Sequence, residues 1–151
     1  MNEKSKEKIM DRYVKSLEQR LRDFHKKYGQ YESDFPTVNI PDEVKNLRIG
    51  LISEESQELF DAIAANNLID IADACADLVY VVIGTAIAYG IPFDRIFSEV
   101  HSSNMTKTPI KVTNQGDKYG TENPKGPDYM PPQIEKILRN PKQSTDLERQ
   151  K

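Results

Sequence analysis

From Ala74 to Tyr89 every residue is apolar or small except Asp77. Apolarity all round a helix is the pattern of a helix buried on every side, so other helices must surround this one. The same segment carries a second pattern. At 100° per residue, Asp70, Asp73 and Asp77 fall in one column within about 60° of arc, which Gly84 and Ala88 continue with small side chains. The chain therefore has to fold around a helix that is apolar nearly everywhere and acidic along one line.

The flanking segments supply partners for it. Ile9, Tyr13, Leu17, Leu21, Phe24 and Tyr28 recur at helical spacing, predicting a first helix over about Lys4–Tyr28 that ends at Gly29 and packs into a core or a dimer contact. A turn-rich stretch leads through Pro36 to Pro41. Pro41 suits a first helical position, with Asp42 and Glu43 favourable in the first turn, and the second helix reads to about Ala65. Asn66 and Asn67 punctuate the chain before the third helix, Leu68–Tyr89, which Gly90 closes. Pro92 opens a fourth helix carrying Phe93, Ile96, Phe97 and Val100. Residues 105–132 are rich in glycine, proline and asparagine and read as one long loop of the kind used for lids and binding loops. A short helix over Gln133–Arg139 follows. The expected fold is all-α, a four-helix bundle with a long C-terminal loop and a short final helix. Residues 1–139 form one domain in this reading, and 140–151 a polar tail expected to be disordered.

Acids on the second helix strengthen the case for a site. Leu47, Leu51, Leu59 and Ile63 define its apolar stripe, and Glu55 and Glu58 fall inside it, about 40° and 20° from Leu51. Glu54 sits on the rim, and Arg48 lies earlier on the side of Glu55. Buried carboxylates are unfavourable unless paired, protonated or metal-bound. Arg48 is the one cation on these apolar faces and cannot neutralise five or six acids. A divalent cation can, and hard oxygen donors suit magnesium, with manganese a possible substitute. Asp70 stands apart, because near its helix N-terminus it is explained as a dipole partner.

Other metal chemistry is disfavoured by composition. Cys75 is the only cysteine, and His25 and His101 are the only histidines, so a Cys/His zinc site within one chain is not expected. A di-iron bundle would need Glu-x-x-His motifs, and neither histidine stands in that relation to these acids. A net charge of −3 gives no basic field for bulk nucleic acid. Met1–Lys8 is polar and charged, unlike a secretory leader, and the uncharged run Leu78–Ile91 is short for a membrane span. A cytoplasmic chain without a membrane role is the expectation.

At these acids the sequence resembles the all-α nucleoside triphosphate pyrophosphohydrolase superfamily: MazG-like proteins, dimeric dUTPases and phosphoribosyl-ATP pyrophosphohydrolases. Two adjacent glutamates and a third one turn on match Glu54-Glu55-Ser56-Gln57-Glu58. The family's Glu-x-x-Asp before an apolar run is met by Asp77-Leu78-Val79-Tyr80, but position 74 is alanine. Asp73, one residue earlier and about 40° from Asp77, is the expected replacement. The likeness continues through Phe24-His25, Arg48, Gly90-Ile91-Pro92, the segment Glu99–Lys107 and Lys125–Pro132.

The resemblance implies magnesium-dependent hydrolysis of a nucleoside triphosphate to the monophosphate and pyrophosphate, in bacterial cytoplasm or, for a phage-encoded chain, host cytoplasm. It implies Glu55, Glu58 and Asp77 as metal ligands with Asp73 beside them. Glu54 would orient or deprotonate the attacking water, so that Glu54, Glu55, Glu58 and Asp77 form the catalytic set. Asn104 and Lys107 would bind phosphate or sugar, although a helix C-cap and a dipole-matched lysine explain them equally well from the residues alone. Lys125, Arg48 and His25 complete the substrate-binding expectations, and Phe24, His25 and Tyr80 are candidates for a base pocket, with core packing the simpler reading of Phe24 and Tyr80. Self-association as a homodimer or homotetramer is also implied. Competing readings are a dUTP- or dNTP-specific diphosphatase, phosphoribosyl-ATP hydrolysis, and a non-catalytic helical module that binds nucleotide or a partner.

Overall fold

The computed structural model describes residues 15–108 and 125–142. Among these the regular elements are all helices, in the order α1 (Leu17–Tyr28), α2 (Asp42–Ala64), α3 (Leu68–Ala88), α4 (Phe93–Asn104) and α5 (Ile134–Arg139). The all-α expectation of four main helices and a short last one is met. The expected start of the first helix near Lys4, with Ile9 and Tyr13, lies outside the described residues, as do 109–124 of the long loop and 143–151 of the tail. Two compact units divide between Asp94 and Arg95.

Local chemistry sets each boundary in the first unit. Ser16 caps α1 through a capping box, its hydroxyl accepting from the Gln19 N–H while the Gln19 side chain accepts from the Ser16 N–H. Both donors would otherwise be orphans of the first turn. Gly29 then stops the helix at φ +63°, in the left-handed region glycine enters freely. Pro41 is the N-cap of α2 rather than its first helical residue, a one-residue difference typical of helix ends. Asn66 turns the chain at φ +53°, and the Asn67 side chain caps α3 by accepting from the Ile69 and Asp70 N–H groups. Its amide also donates to the Asp70 carboxylate at 2.6 Å, which places Asp70 in the first turn of α3, where a negative charge suits the helix dipole.

This short turn makes α2 and α3 an antiparallel hairpin, the main packing pair, and α1 packs on α3. The tight centre is Leu21, Ile83 and Ile87, with Phe93 against it. Truncating Ile83 to alanine is expected to destabilise by about 2–5 kcal/mol. Residues 30–40 cross the C-terminal end of α3, where Ser33 and Thr37 N–H groups donate to the Ile87 and Tyr89 carbonyls. Gly90 is required there twice over: its φ is +67°, and a Cβ would collide with the Phe35 carbonyl oxygen. Glu18, buried in the first turn of α1 and ion-paired with Arg22, accepts from the Asp94 N–H at 2.9 Å and caps the start of α4.

One expectation fails. Apart from Ala74, the buried residues of α3 lie at its C-terminal end, from Ile83 on, while Leu68, Ile69, Val79, Tyr80 and Val82 are exposed. Leu17, Phe24 and Tyr28 of α1 and Leu47 and Ile63 of α2 are exposed as well. A single chain has too few helices to cover these stripes. By length and composition α3 would also suit a membrane span, yet its three aspartates would be costly in hydrocarbon.

In the second unit the described ends of the loop are pinned. Ser103 donates to the Met130 carbonyl at 2.7 Å, and Thr106 accepts from the Met130 N–H at 2.9 Å. Glu99 accepts from the Gln133 N–H at 2.8 Å, just before α5.

Candidate active site at the α2–α3 hairpin

The hairpin brings the five predicted acids into one electrostatic neighbourhood centred on Glu55. Its carboxyl is held above the ordinary range, first by burial and then by the negative charges of Glu58, Asp77, Glu54 and Asp73, in that order. Glu55 is half-buried, and its Oε2 is wholly buried with no hydrogen-bond partner. Such an oxygen is normally satisfied, so its lack of a partner makes Glu55 a candidate ligand.

The acids are not buried on an apolar face, as the helical wheel implied. Glu54, Glu58, Asp73 and Asp77 are exposed. They share a side with aliphatics, but that side is open in one chain. Ala74 occupies the position where an acid was missed, and it is buried at 5% exposure, directed into the helix contact. Asp73 is therefore displaced to the exposed rim, and of the four neighbours it acts on Glu55 least.

The donor set consists of carboxylate oxygens, which suits a hard divalent cation. Among the described residues no three acids already stand at ligating distance, so the exposed side chains would have to rotate inward around Glu55. No described cation forms an ion pair with Glu54, Glu55, Glu58, Asp73 or Asp77.

Nitrogen-bearing residues collect elsewhere in the unit. Arg48 and His25 are 5% and 2% exposed, so neither presents its side chain to solvent. Arg48 Nε lacks a hydrogen-bond partner, and His25 faces the Tyr31 backbone and, from Nδ1, the Glu32 carboxylate at 3.9 Å. Burial, and then the Arg48 charge, hold His25 below its ordinary value and so neutral. Phe24 and Tyr80 meet edge to face at 5.3 Å and Phe24 lies 4.6 Å from Tyr28. All three rings are more than a third exposed, so the simpler core reading of Phe24 and Tyr80 is not borne out. Tyr28 was not among the base-pocket candidates, although its i+4 spacing from Phe24 was visible.

The remaining predicted residues belong to the second unit. Asn104 ends α4 and is exposed, and its carbonyl accepts from the Lys107 N–H at 3.1 Å. Lys107 is half-buried, and Lys125 is exposed with its ammonium 5.2 Å above the Tyr129 ring. Sequence reasoning passed over Glu18 and Glu32, whose signal was their helical or loop proximity to Arg22.

Comparison with known proteins gives two likenesses. Residues 21–104, more than half the chain and the stretch holding Glu54, Glu55, Glu58, Asp73 and Asp77, match the family described as phosphoribosyl-ATP pyrophosphohydrolase. An uncharacterised protein of Acanthamoeba polyphaga mimivirus is 51% identical over 55 residues, which is 36% of this chain and 22% of that protein. The chain thus spans only a small part of that relative's length. With the glutamate motif and the acid-bearing hairpin both inside the matched stretch, the chain belongs to the phosphoribosyl-ATP pyrophosphohydrolase family, a pyrophosphohydrolase family of the MazG-like all-α superfamily.

Proposed function

We propose that this chain hydrolyses a nucleoside triphosphate to the monophosphate and pyrophosphate with magnesium held at the α2–α3 acids, manganese being a possible substitute. The observation that carries this is Glu55: a half-buried carboxylate with an orphan oxygen, crowded by four acids and by no described cation. Glu55, Glu58 and Asp77 would hold the metal, with Asp73 at the rim. A divalent ion bound there would offset the carboxylate repulsion, neutralise phosphoryl charge and acidify water.

The protein's own groups do the rest. Glu54, exposed one residue before Glu55, accepts the proton of a water aimed at the α-phosphorus. The new bond forms from water oxygen to that phosphorus, and the bond to the α–β bridging oxygen breaks. Pyrophosphate leaves with the bridging oxygen. By the family resemblance alone, Asn104, Lys107 and Lys125 are the candidates for phosphate and sugar, by hydrogen bond and point charge. Phe24, Tyr28 and Tyr80 offer exposed rings for a nucleobase. Their exposure, with that of Val79 and Val82, also supports a homodimer or homotetramer that covers part of this face. We place the chain in the cytoplasm, where its single exposed thiol, Cys75, would stay reduced.

The description of the matched family favours phosphoribosyl-ATP as a second substrate reading. Both are tested by offering ribo- and deoxynucleoside triphosphates, dUTP and phosphoribosyl-ATP with and without magnesium, and separating pyrophosphate from orthophosphate. Metal-dependent pyrophosphate release supports the proposal, and the preferred substrate chooses between the readings. Nucleotide binding without turnover on any substrate would make the chain a non-catalytic module.

A further inference from the structure

Gly84 stands in the middle of α3, where glycine is less favourable than alanine by about 1 kcal/mol. Its φ is not positive, so its backbone does not require glycine. Its surroundings do. A Cβ at Gly84 would lie 2.9 Å from Arg48 Nη1 and 3.1 Å from His25 Nε2. Both side chains are at least 95% buried, which leaves the guanidinium little freedom to swing aside. One residue each from α1, α2 and α3 therefore meets at the one point on α3 that lacks a side chain.

This contact shares its register with the acid site. Seven residues on from Arg48 along α2 is Glu55, and seven back from Gly84 along α3 is Asp77. In an antiparallel hairpin these steps run in the same direction, so the two juxtapositions are two turns, about 10 Å, apart on matching faces. We infer that Gly84, Arg48 and His25 form a spacer that fixes the separation and register of α2 and α3, and through them the convergence of Glu55 and Asp77. Arg48 and His25 are then positioning residues rather than substrate ligands. The inference rests on the proposed metal site for its enzymatic consequence but not for its structural one. Magnesium demands near-octahedral donors at about 2.0–2.1 Å, so a small splaying of the helices falls first on metal affinity.

The test reads spacing and enzymology separately. Spin labels at the exposed positions Gln57 and Ala76, in a Cys75→Ser background, report the α2–α3 distance in metal-free protein. Unlabelled chains give the magnesium midpoint and the nucleotide KM at saturating magnesium. Gly84→Ala is expected to lengthen the label distance and raise the magnesium midpoint about fivefold or more, with KM changed less than about twofold. Gly84→Ala should perturb the distance less in an Arg48→Met background than in wild type, because the added methyl then meets only His25 Nε2. If Gly84→Ala does not fold, Arg48→Met carries the test by a shifted distance and a raised midpoint at constant KM.

An unchanged distance in the variant that folds overturns the spacer whatever the kinetics. A rise in KM for Arg48→Met at saturating magnesium makes Arg48 a substrate contact and overturns its assignment. A shifted distance in a protein whose wild-type form shows no metal-dependent turnover keeps the spacer and removes the proposed function.

Discussion

Two levels of the α2–α3 hairpin are opposites. Around Glu55 and Asp77 the acids are mostly exposed, crowd one another and have no described cation. Two turns away, Arg48 and His25 are buried against Gly84, and no described carboxylate pairs with the guanidinium. A fold optimised only for stability would bring such groups together, since unpaired buried charge is costly. Holding them a fixed distance apart leaves charge uncompensated at both levels. At the acid level that charge is available to a metal. At the cation level the nitrogen groups are enclosed and serve geometry.

The largest effects should come from the acid level. Asp77→Asn is expected to lower pyrophosphate release on the order of 100-fold or more. Asp73→Asn should stay within about tenfold, because Asp73 sits on the rim and acts least on Glu55. Equal losses in the two variants, measured under saturating substrate and metal, would erase the grading.

Magnesium should raise the melting temperature, and pH should control by how much. The folded-state carboxyl of Glu55 is raised above its ordinary 4.5, so the native protein holds more protons than the unfolded chain as pH rises past that value. Its stabilising contribution is present below 4.5 and lost as pH rises through the folded value. The metal should therefore stabilise at neutral pH and progressively less as the acids protonate. A shift of the same size at both ends of that range would contradict a carboxylate site.

The cation level should respond with the opposite pH sign. His25 is held below its ordinary 6.5, so its contribution is complete above that pH and is lost as pH falls toward the folded value. Thermal melts of wild type and His25→Asn should differ in slope below pH 6.5 and run parallel above it. The smallest expected change is in the stability of Arg48→Met. Replacing an unpaired buried cation by an apolar side chain should leave the melting temperature unchanged or raise it. A strong loss would mean that Arg48 has a carboxylate partner beyond the described residues.

Much of this was legible in residue spacing. Gly29, Asn67 and Gly90 mark helix ends through backbone chemistry that acts locally, and they stand where the pattern placed them. The acids were found because Glu54–Glu58 and the Asp73/Asp77 column lie on regular helices joined by a short turn. Exposure was not legible. A helical wheel ranks faces within one helix, and it cannot say how many other helices arrive to cover them. That is why Ala74–Tyr89 reads as a helix buried on every side, and Glu58 as sunk in an apolar stripe, where the structure leaves much of both exposed. Gly84 was visible as a small residue continuing the aspartate column, but its meaning required Arg48 and His25 to arrive from two other helices. Tertiary contacts of that kind have no signature in a single periodic segment.

The central claim is that crowded acids around Glu55 exist to hold a metal for pyrophosphate release. The most direct measurement titrates magnesium into wild type and Glu58→Gln with the best substrate, following pyrophosphate and monophosphate. Wild type should show no turnover without metal and saturable turnover with it, and Glu58→Gln should need far more magnesium and turn over at least about 100-fold more slowly. Metal-independent turnover in wild type, or a Glu58→Gln titration that overlays it, would contradict the account.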